Sequence, residues 1–281
     1  MSGLSTLLAL YAWVLPAGIL LAVALSEIGA HLATRERSIQ TLCLSQGALL
    51  GVLLGLGLTK TVIHADPESH TWPLLFSTLT SMTTGYLTSK LSERKEGSKN
   101  TLFLAIFATL LAAGFFVSVI FPELESHMSS IYFGDLATLT NFDAQLTIII
   151  SSGALLFLMV FMDRFTDQSF EIAVFGRRTA LTRSLTFFDL LSVGMVCYSV
   201  QFVGLLFTLS MLFLPTTLGT FFRRTGVRAH RFFIVFTTAF GCGLGFFLSL
   251  LGNRIPTVPM IVASNLLIGC ALIILVPKRG P

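Results

Sequence analysis

The chain has 281 residues, of which 54% are hydrophobic and 11% charged, with a formal charge of +4. A water-soluble domain carries about 25% charged residues, so this chain has too little polar surface to face water all round, and its mean hydropathy of +0.84 agrees. No basic stripe is interleaved with stacking aromatics, which excludes nucleic-acid binding, and the length fits one large domain without a separate soluble one.

A helical span needs about 20 mostly apolar residues. Such runs occur near 11–33, 39–63, 72–91, 101–121, 143–163, 185–202, 204–222, 232–251 and 257–276. The N-terminus lacks the basic region and cleavage site of a signal peptide, so the first run is expected to stay as a span. The sixth and seventh runs form one stretch, 185–222, too long for a single span. It is divided at Val203-Gly204 because glycine lowers the cost of a tight turn, although a re-entrant pair would read the same way. The predicted fold is an all-α polytopic membrane protein of about nine transmembrane helices (eight to nine), forming one domain over 1–281.

The basic residues orient these spans. With the N-terminus outside, the inner loops hold Arg35 and Arg37; Lys90, Arg94, Lys95 and Lys99; Arg164, Arg177, Arg178 and Arg183; Arg223, Arg224, Arg228 and Arg231; and Lys278 and Arg279. Only Lys60 and Arg254 of the 18 Lys and Arg then fall outside. Cytoplasmic loops are enriched in Lys and Arg, so the C-terminus is predicted to be cytoplasmic. The outer loops differ in kind. One runs His64, Asp66, Glu68, His70, and the next carries Glu123, Glu125 and His127. Imidazole and carboxylate suit zinc and manganese. These loops therefore read either as solvated acidic segments or as an exchanging entry funnel for a cation. Asp135 and Asp143 are expected on the same side.

Ionisable groups within spans are costly and usually face the bundle interior. Glu27 and His31 are four residues apart and share a helix face. With Ser45 and Gln46 of the next span they form a candidate cation path, against the alternative that Glu27 pairs locally and His31 reaches the interface. Asp189 reads as an interfacial or helix-end group. Gly47, Gly51, Gly55 and Gly57 in the second run, and Gly241, Gly243 and Gly245 in the eighth, permit close helix packing. Cys43, Cys197, Cys242 and Cys270 sit in apolar runs without a CxxC pair and read as reduced core thiols.

The segment 164–184 is the longest charged stretch. Its apolar residues recur at helical spacing and Gly176 reads as a stop, which predicts a short amphipathic helix on the inner face. It either lies on lipid or docks a soluble partner. The chain has no GxxxxGK[ST] loop, so any ATP hydrolysis belongs to a partner chain. It also lacks GxSxG and HExxH, so it reads as a non-enzyme, with a membrane enzyme or scaffold as the alternative.

Five blocks carry a family resemblance. They are Arg35-Glu36-Arg37 with Leu44-Ser45-Gln46-Gly47-Ala48-Leu49-Leu50-Gly51 after a glycine-containing first span; Tyr132-Phe133-Gly134-Asp135-Leu136; Asp167 to Gly176; Val203-Gly204-Leu205-Leu206 followed by Leu212-Phe213-Leu214-Pro215; and Ile255-Pro256-Thr257-Val258-Pro259-Met260-Ile261-Val262. In this order and spacing they resemble the zinc/manganese permease family of ABC importers. The resemblance implies a transported zinc or manganese ion rather than a bound cofactor, and a multi-pass subunit of a bacterial inner membrane. It also implies a homodimer, a separate ATPase subunit and an extracytoplasmic metal-binding protein. Coupling to the ATPase would involve Asp167, Glu171, Gly176 and Arg177. The family's Asp and His in the second span correspond here to Leu42 and Gln46, and its acid before the last span's proline corresponds to Arg254. Glu27 and His31 are candidate replacements. A metal chelate is the alternative cargo.

Overall fold

The computed structural model describes residues 11–35, 37–59, 71–94, 99–175, 182–222, 226–251 and 255–275; the side chains of 92–94, 125–127, 130, 170–175 and 182–186 fall outside that description. The described residues form α1 (Val14–Thr34), α2 (Ser38–Leu58), α3 (Thr71–Arg94), α4 (Lys99–Ile120), α5 (Glu125–Phe133), α6 (Asn141–Val160), α7 (Met162–Phe175), α8 (Thr182–Phe202), α9 (Leu205–Phe221), α10 (Val227–Leu251) and α11 (Thr257–Leu275). Among them there is no strand.

Each predicted run coincides with a helix: α1 to α4, α6, and α8 to α11. Among the described residues six of these, α1, α2, α4, α6, α10 and α11, are long and apolar enough to cross a membrane. The others depart for identifiable reasons. At 1.5 Å per residue the 17 residues of α9 reach only about 25 Å, short of a hydrocarbon core about 30 Å thick. The described side chains of α8 begin at Phe187. The third run, α3, is rich in Ser and Thr because it lies against the small-residue face of α2. Thr80 Oγ1 donates to Gly47 O at 2.7 Å and Ser81 Oγ to Leu44 O at 3.2 Å. A side chain at Gly51 would collide with Phe76 O and Thr80. Here the backbones meet so closely that hydroxyls, not apolar chains, fill the seam.

The split of 185–222 falls where glycine was expected to allow it. Gly204 has φ +108°, left-handed backbone that L side chains rarely adopt. It lies against Gly134, itself at φ +77°, and a side chain on either would strike the other's loop. The short helix α5 next to this contact was not foreseen.

The first helix is the hub. It packs on α6, α7, α9 and α10, and Leu21, Leu25 and Ile28 of α1 join Phe207, Met211, Leu212 and Phe246 in the core. The opposite surface is apolar too: Phe116 of α4, Ile149 and Leu156 of α6, and Leu267 and Ile274 of α11 are exposed, as lipid contact requires. Cys43, Cys197 and Cys242 are buried free thiols. Cys270 corrects the expectation of a core thiol: it is exposed, because α11 lies at the margin of the bundle and turns much of its surface outward.

Gly29 of α1 abuts the backbone carbonyl of Leu212 in α9, whereas Gly153 of α6 has nothing within 4 Å of where a Cβ would stand. Gly29→Ala is expected to cost about 1–3 kcal/mol through overpacking and Gly153→Ala to be neutral or mildly stabilising. Thermal melting of the two variants in detergent checks both.

Candidate functional site

The loop with Arg35 and Arg37 and the helix ends with Lys90, Arg164, Arg228 and Arg231 gather at one end of the bundle. Gln40 reaches Thr88 and Ser89 of α3, Arg37 reaches Asp189 of α8, and Arg231 reaches Glu27. At this basic end a cavity of about 460 Å³ opens between α1, α7, α9 and α10. Glu27 and His31 line it, with Thr34, Ser169, Thr216, His230 and Arg231 around them. Its size is that of a small-molecule pocket, far more than a bare ion needs.

Glu27 is buried, and its Oε1 accepts from Arg231 Nε at 2.7 Å. The sequence suggested a local partner, but the cation comes from α10, 204 positions away. A carboxylate in an apolar bundle requires such a partner. His31 stands edge-on to two rings, Phe165 of α7 at 6.4 Å and Phe188 of α8 at 5.6 Å between centroids. It is buried rather than reaching out to the interface.

Ser169 of α7 joins these helices. Its Oγ donates to Phe165 O at 2.6 Å, accepts from Arg35 Nε at 3.0 Å, and lies 3.4 Å from His31 Nδ1. The Nδ1 side of His31 therefore faces the same hydroxyl that Arg35 bonds. The Arg35 side chain is fully buried, with its guanidinium 4.3 Å from the Phe188 ring centroid and Nη1 3.9 Å from Asp189. Burial pulls Arg35 down to about 10; Asp189 pushes it up and Arg37 pulls it down further. It stays charged at neutral pH. Arg37 bonds both Asp189 oxygens, at 3.1 and 3.0 Å, so Asp189 has the expected interfacial role and holds α8 to the loop between α1 and α2.

The opposite end is closed by a different network. Asp135 Oδ1 accepts from Ala137 N at 3.0 Å and from Thr257 Oγ1 at 2.8 Å, and Thr257 Oγ1 accepts from Leu136 N at 3.2 Å. Leu136 is fully buried against Gly18 of α1. Asp143 also serves the backbone: its N donates to Thr140 Oγ1 at 3.2 Å, and its carboxylate accepts from that hydroxyl at 2.6 Å. Both acids therefore shape turns and helix starts.

A family model for the ABC 3 transport family matches residues 8–276. The chain belongs to the ABC 3 transport family. It is therefore a multi-pass membrane subunit of a transport system and not itself an enzyme, and the resemblance read from its motifs is borne out. No curated protein sequence matches it. Among solved structures it is similar to one titled "PsaBC from Streptococcus pneumoniae in complex with Fab". The match has a TM-score of 0.72 and 17% identity over 95% of this chain and 91% of that one. At that identity the likeness shows the fold.

In this ABC 3 permease, four of the motif blocks meet in space. Gly18, Gly134 to Leu136, Val203-Gly204 and Thr257 converge at one end. At the other end Arg35 meets Ser169, which lies within the block Asp167 to Gly176. Of the candidate path, Glu27 and His31 share the cavity, while Gln46 does not line it. Gln46 is buried with no partner for Oε1 among the described residues, and Ser45 turns back to Thr41 O. Leu42 is half-buried. Among the described residues no three His, Cys, Asp or Glu converge as a metal cluster.

The funnel residues His64, Asp66, Glu68 and His70 lie outside the described residues, as does Arg254. Glu123 is exposed, and the side chains of Glu125 and His127 on α5 are not described. The amphipathic helix expected in 164–184 is α7. Phe165 and Ser169 are buried, whereas Asp163, Arg164 and Asp167 are exposed. The side chain of Glu171 and the residues Gly176 and Arg177 fall outside the description. Sequence reasoning missed Ser169, His230 and Arg231 as site residues. Arg231 was counted only as an inner-loop charge, and no sequence spacing links it to Glu27.

Removing one partner of the Glu27–Arg231 pair leaves the other charge uncompensated. Arg231→Gln strands the more buried Glu27. It is expected to cost toward the lower end of about 3–5 kcal/mol, because Arg231 is itself 34% exposed. Glu27→Gln should cost less, and the double variant should recover most of the loss, as a double-mutant cycle of melting curves reads directly.

Proposed function

We propose that this chain is the permease subunit of an ATP-driven importer for a divalent metal ion, zinc or manganese. It would work as a pair of membrane subunits, with a separate ATPase at the basic, cytoplasmic end and an extracytoplasmic binding protein at the other. The family membership supports the transport role, and the excess of Lys and Arg in the loops at one end supports the orientation. The observation that carries the mechanism is that α7 is a wall of the cavity. Met162, Thr166 and Ser169 of α7 line it together with Glu27 and His31 of α1.

In this reading the exposed acidic and basic face of α7 meets the ATPase, and its buried face meets α1. A push on α7 reaches the cavity in one step, through Ser169 to Arg35 and His31. The inner cavity alternates with an outer opening controlled where Asp135 and Thr257 now close the bundle. Acidic outer loops attract the cation electrostatically.

A second cargo, a metal chelate, is favoured by particular observations. The family's Asp and His are Leu42 and Gln46 here, Glu27 is held by Arg231, and the cavity of about 460 Å³ is roomy for a naked ion. Uptake by the complex reconstituted in vesicles, with elemental analysis of the lumen, separates the two. Free zinc or manganese entering without chelator supports the first reading. Entry only of the chelated metal supports the second. No uptake of either, or failure to co-purify with the ATPase encoded beside it, would refute both.

Coupling through Ser169 has its own signature. Ser169→Ala should leave ATP hydrolysis by the assembled complex near its original rate. Metal moved per ATP should fall about 2- to 30-fold, the range spanned by typical coupling energies. Ser169→Thr, which keeps the hydroxyl, should restore part of it.

A further inference from the structure

The face of α10 turned away from the cavity forms a second, apolar recess at the basic end. Phe222, Ala229, Phe232, Phe233, Phe236 and Leu272 wall a groove of about 590 Å³, and Arg228 stands at its rim. Positions 229, 232, 233 and 236 follow helical spacing, so α10 offers one continuous side of it. The wall is built of parallel rings. Phe222 stacks on Phe233 with centroids 4.4 Å apart, and Phe232 and Phe236 form a second stacked pair at 5.9 Å. Phe232 is 71% exposed, so the groove opens on the apolar outer surface of the bundle.

The mouth of the groove is cationic. Arg228 is exposed and, among the described residues, no carboxylate pairs with it. It sits in the first turn of α10, where the helix dipole presents partial positive charge and the first backbone N–H groups lack helical acceptors. An apolar trough ending in a guanidinium and a helix N-terminus is complementary to one amphiphile: an acyl chain with an anionic head. Basic pockets between transmembrane helices on the cytoplasmic side bind anionic phospholipid headgroups in this way.

We propose that the groove between α9, α10 and α11 is a binding site for an anionic phospholipid. Its headgroup pairs with Arg228 and its acyl chain lies along Phe232 and Phe236. The site has a route to the transport machinery. The same helix lines the cavity through Val227, His230, Arg231 and Ile234, so a lipid seated on one side of α10 fixes the wall on the other. The proposal needs only a membrane-embedded chain and does not depend on which cargo is carried.

The test is native mass spectrometry of the full chain in detergent, titrated with phosphatidylglycerol and with phosphatidylcholine of identical acyl chains, alongside melting curves. Phosphatidylglycerol should be retained more strongly and should raise the melting temperature more. Arg228→Gln, at an exposed position, should cut phosphatidylglycerol affinity about fivefold and leave phosphatidylcholine binding unchanged. Phe236→Trp, which fills the groove, should weaken both. Equal retention of the two lipids in every variant would mean general bilayer contact and would overturn the site. A shift from dimer to monomer in Phe236→Trp without any change in lipid binding would assign the groove to a second copy of the chain and overturn it equally.

Discussion

An ionised carboxylate inside an apolar bundle is costly without a compensating partner, and in this protein the partner of Glu27 ties the beginning of the fold to its end. Glu27 lies on α1, the hub helix, and Arg231 lies on α10. The pair fixes how those helices face each other and so fixes two walls of the cavity. It also decides what the cavity can do. A Glu27 already engaged by a guanidinium is a poor ligand for a bare dication, since the ion would have to displace Arg231 or share the carboxylate with it. The His31 imidazole, whose Nδ1 lies 3.4 Å from the Ser169 hydroxyl, is not held by a guanidinium in this way.

The two ends of the bundle are closed by different physics. At the basic end, charges meet across helices: Arg35 and Arg37 converge on Asp189, and Ser169 ties α7 to the same cluster. At the other end the described contacts are short, and the acids among them, Asp135 and Asp143, bond to turn and helix-start groups rather than to cations. There the chain relies on Gly134 and Gly204 to bring two loops into backbone contact. Charge clusters can be remade after a displacement of a few ångströms, because their partners are long side chains. A glycine-to-glycine contact has no such slack, because neither backbone carries a side chain that could follow the other.

The spans were legible because their periodicity and apolarity are local properties, and the break at Val203-Gly204 was legible because glycine marks a turn. The amphipathic α7 was legible for the same local reason. What could not be read is everything that depends on distant pairing. Glu27 finds its partner 204 positions away, and Asp135 meets Thr257 across 122. The reach of Ser169 back to Arg35 is of the same kind. The outward position of Cys270 was hidden because an apolar run reads alike whether it faces lipid or core. The polarity of α3 misleads in the reverse sense, since hydroxyls such as those of Thr80, Ser81 and Thr88 face α2.

The tenth helix draws these threads together. One side of it carries His230 and Arg231 into the cavity, and the other carries Phe232 and Phe236 toward lipid. A helix with both faces occupied has its rotation fixed from two directions, by an ion pair within the bundle and by apolar contact outside it. Turning α10 far enough to part Arg231 from Glu27 would also drag Arg228 away from the membrane interface and disturb the Phe222–Phe233 stack. Opening the cavity wall is therefore opposed by both the protein interior and the surrounding lipid. The α7 wall is held by different contacts, among them the Ser169 hydroxyl bonded by Arg35 and the Phe165 ring packed on His31 and Phe188.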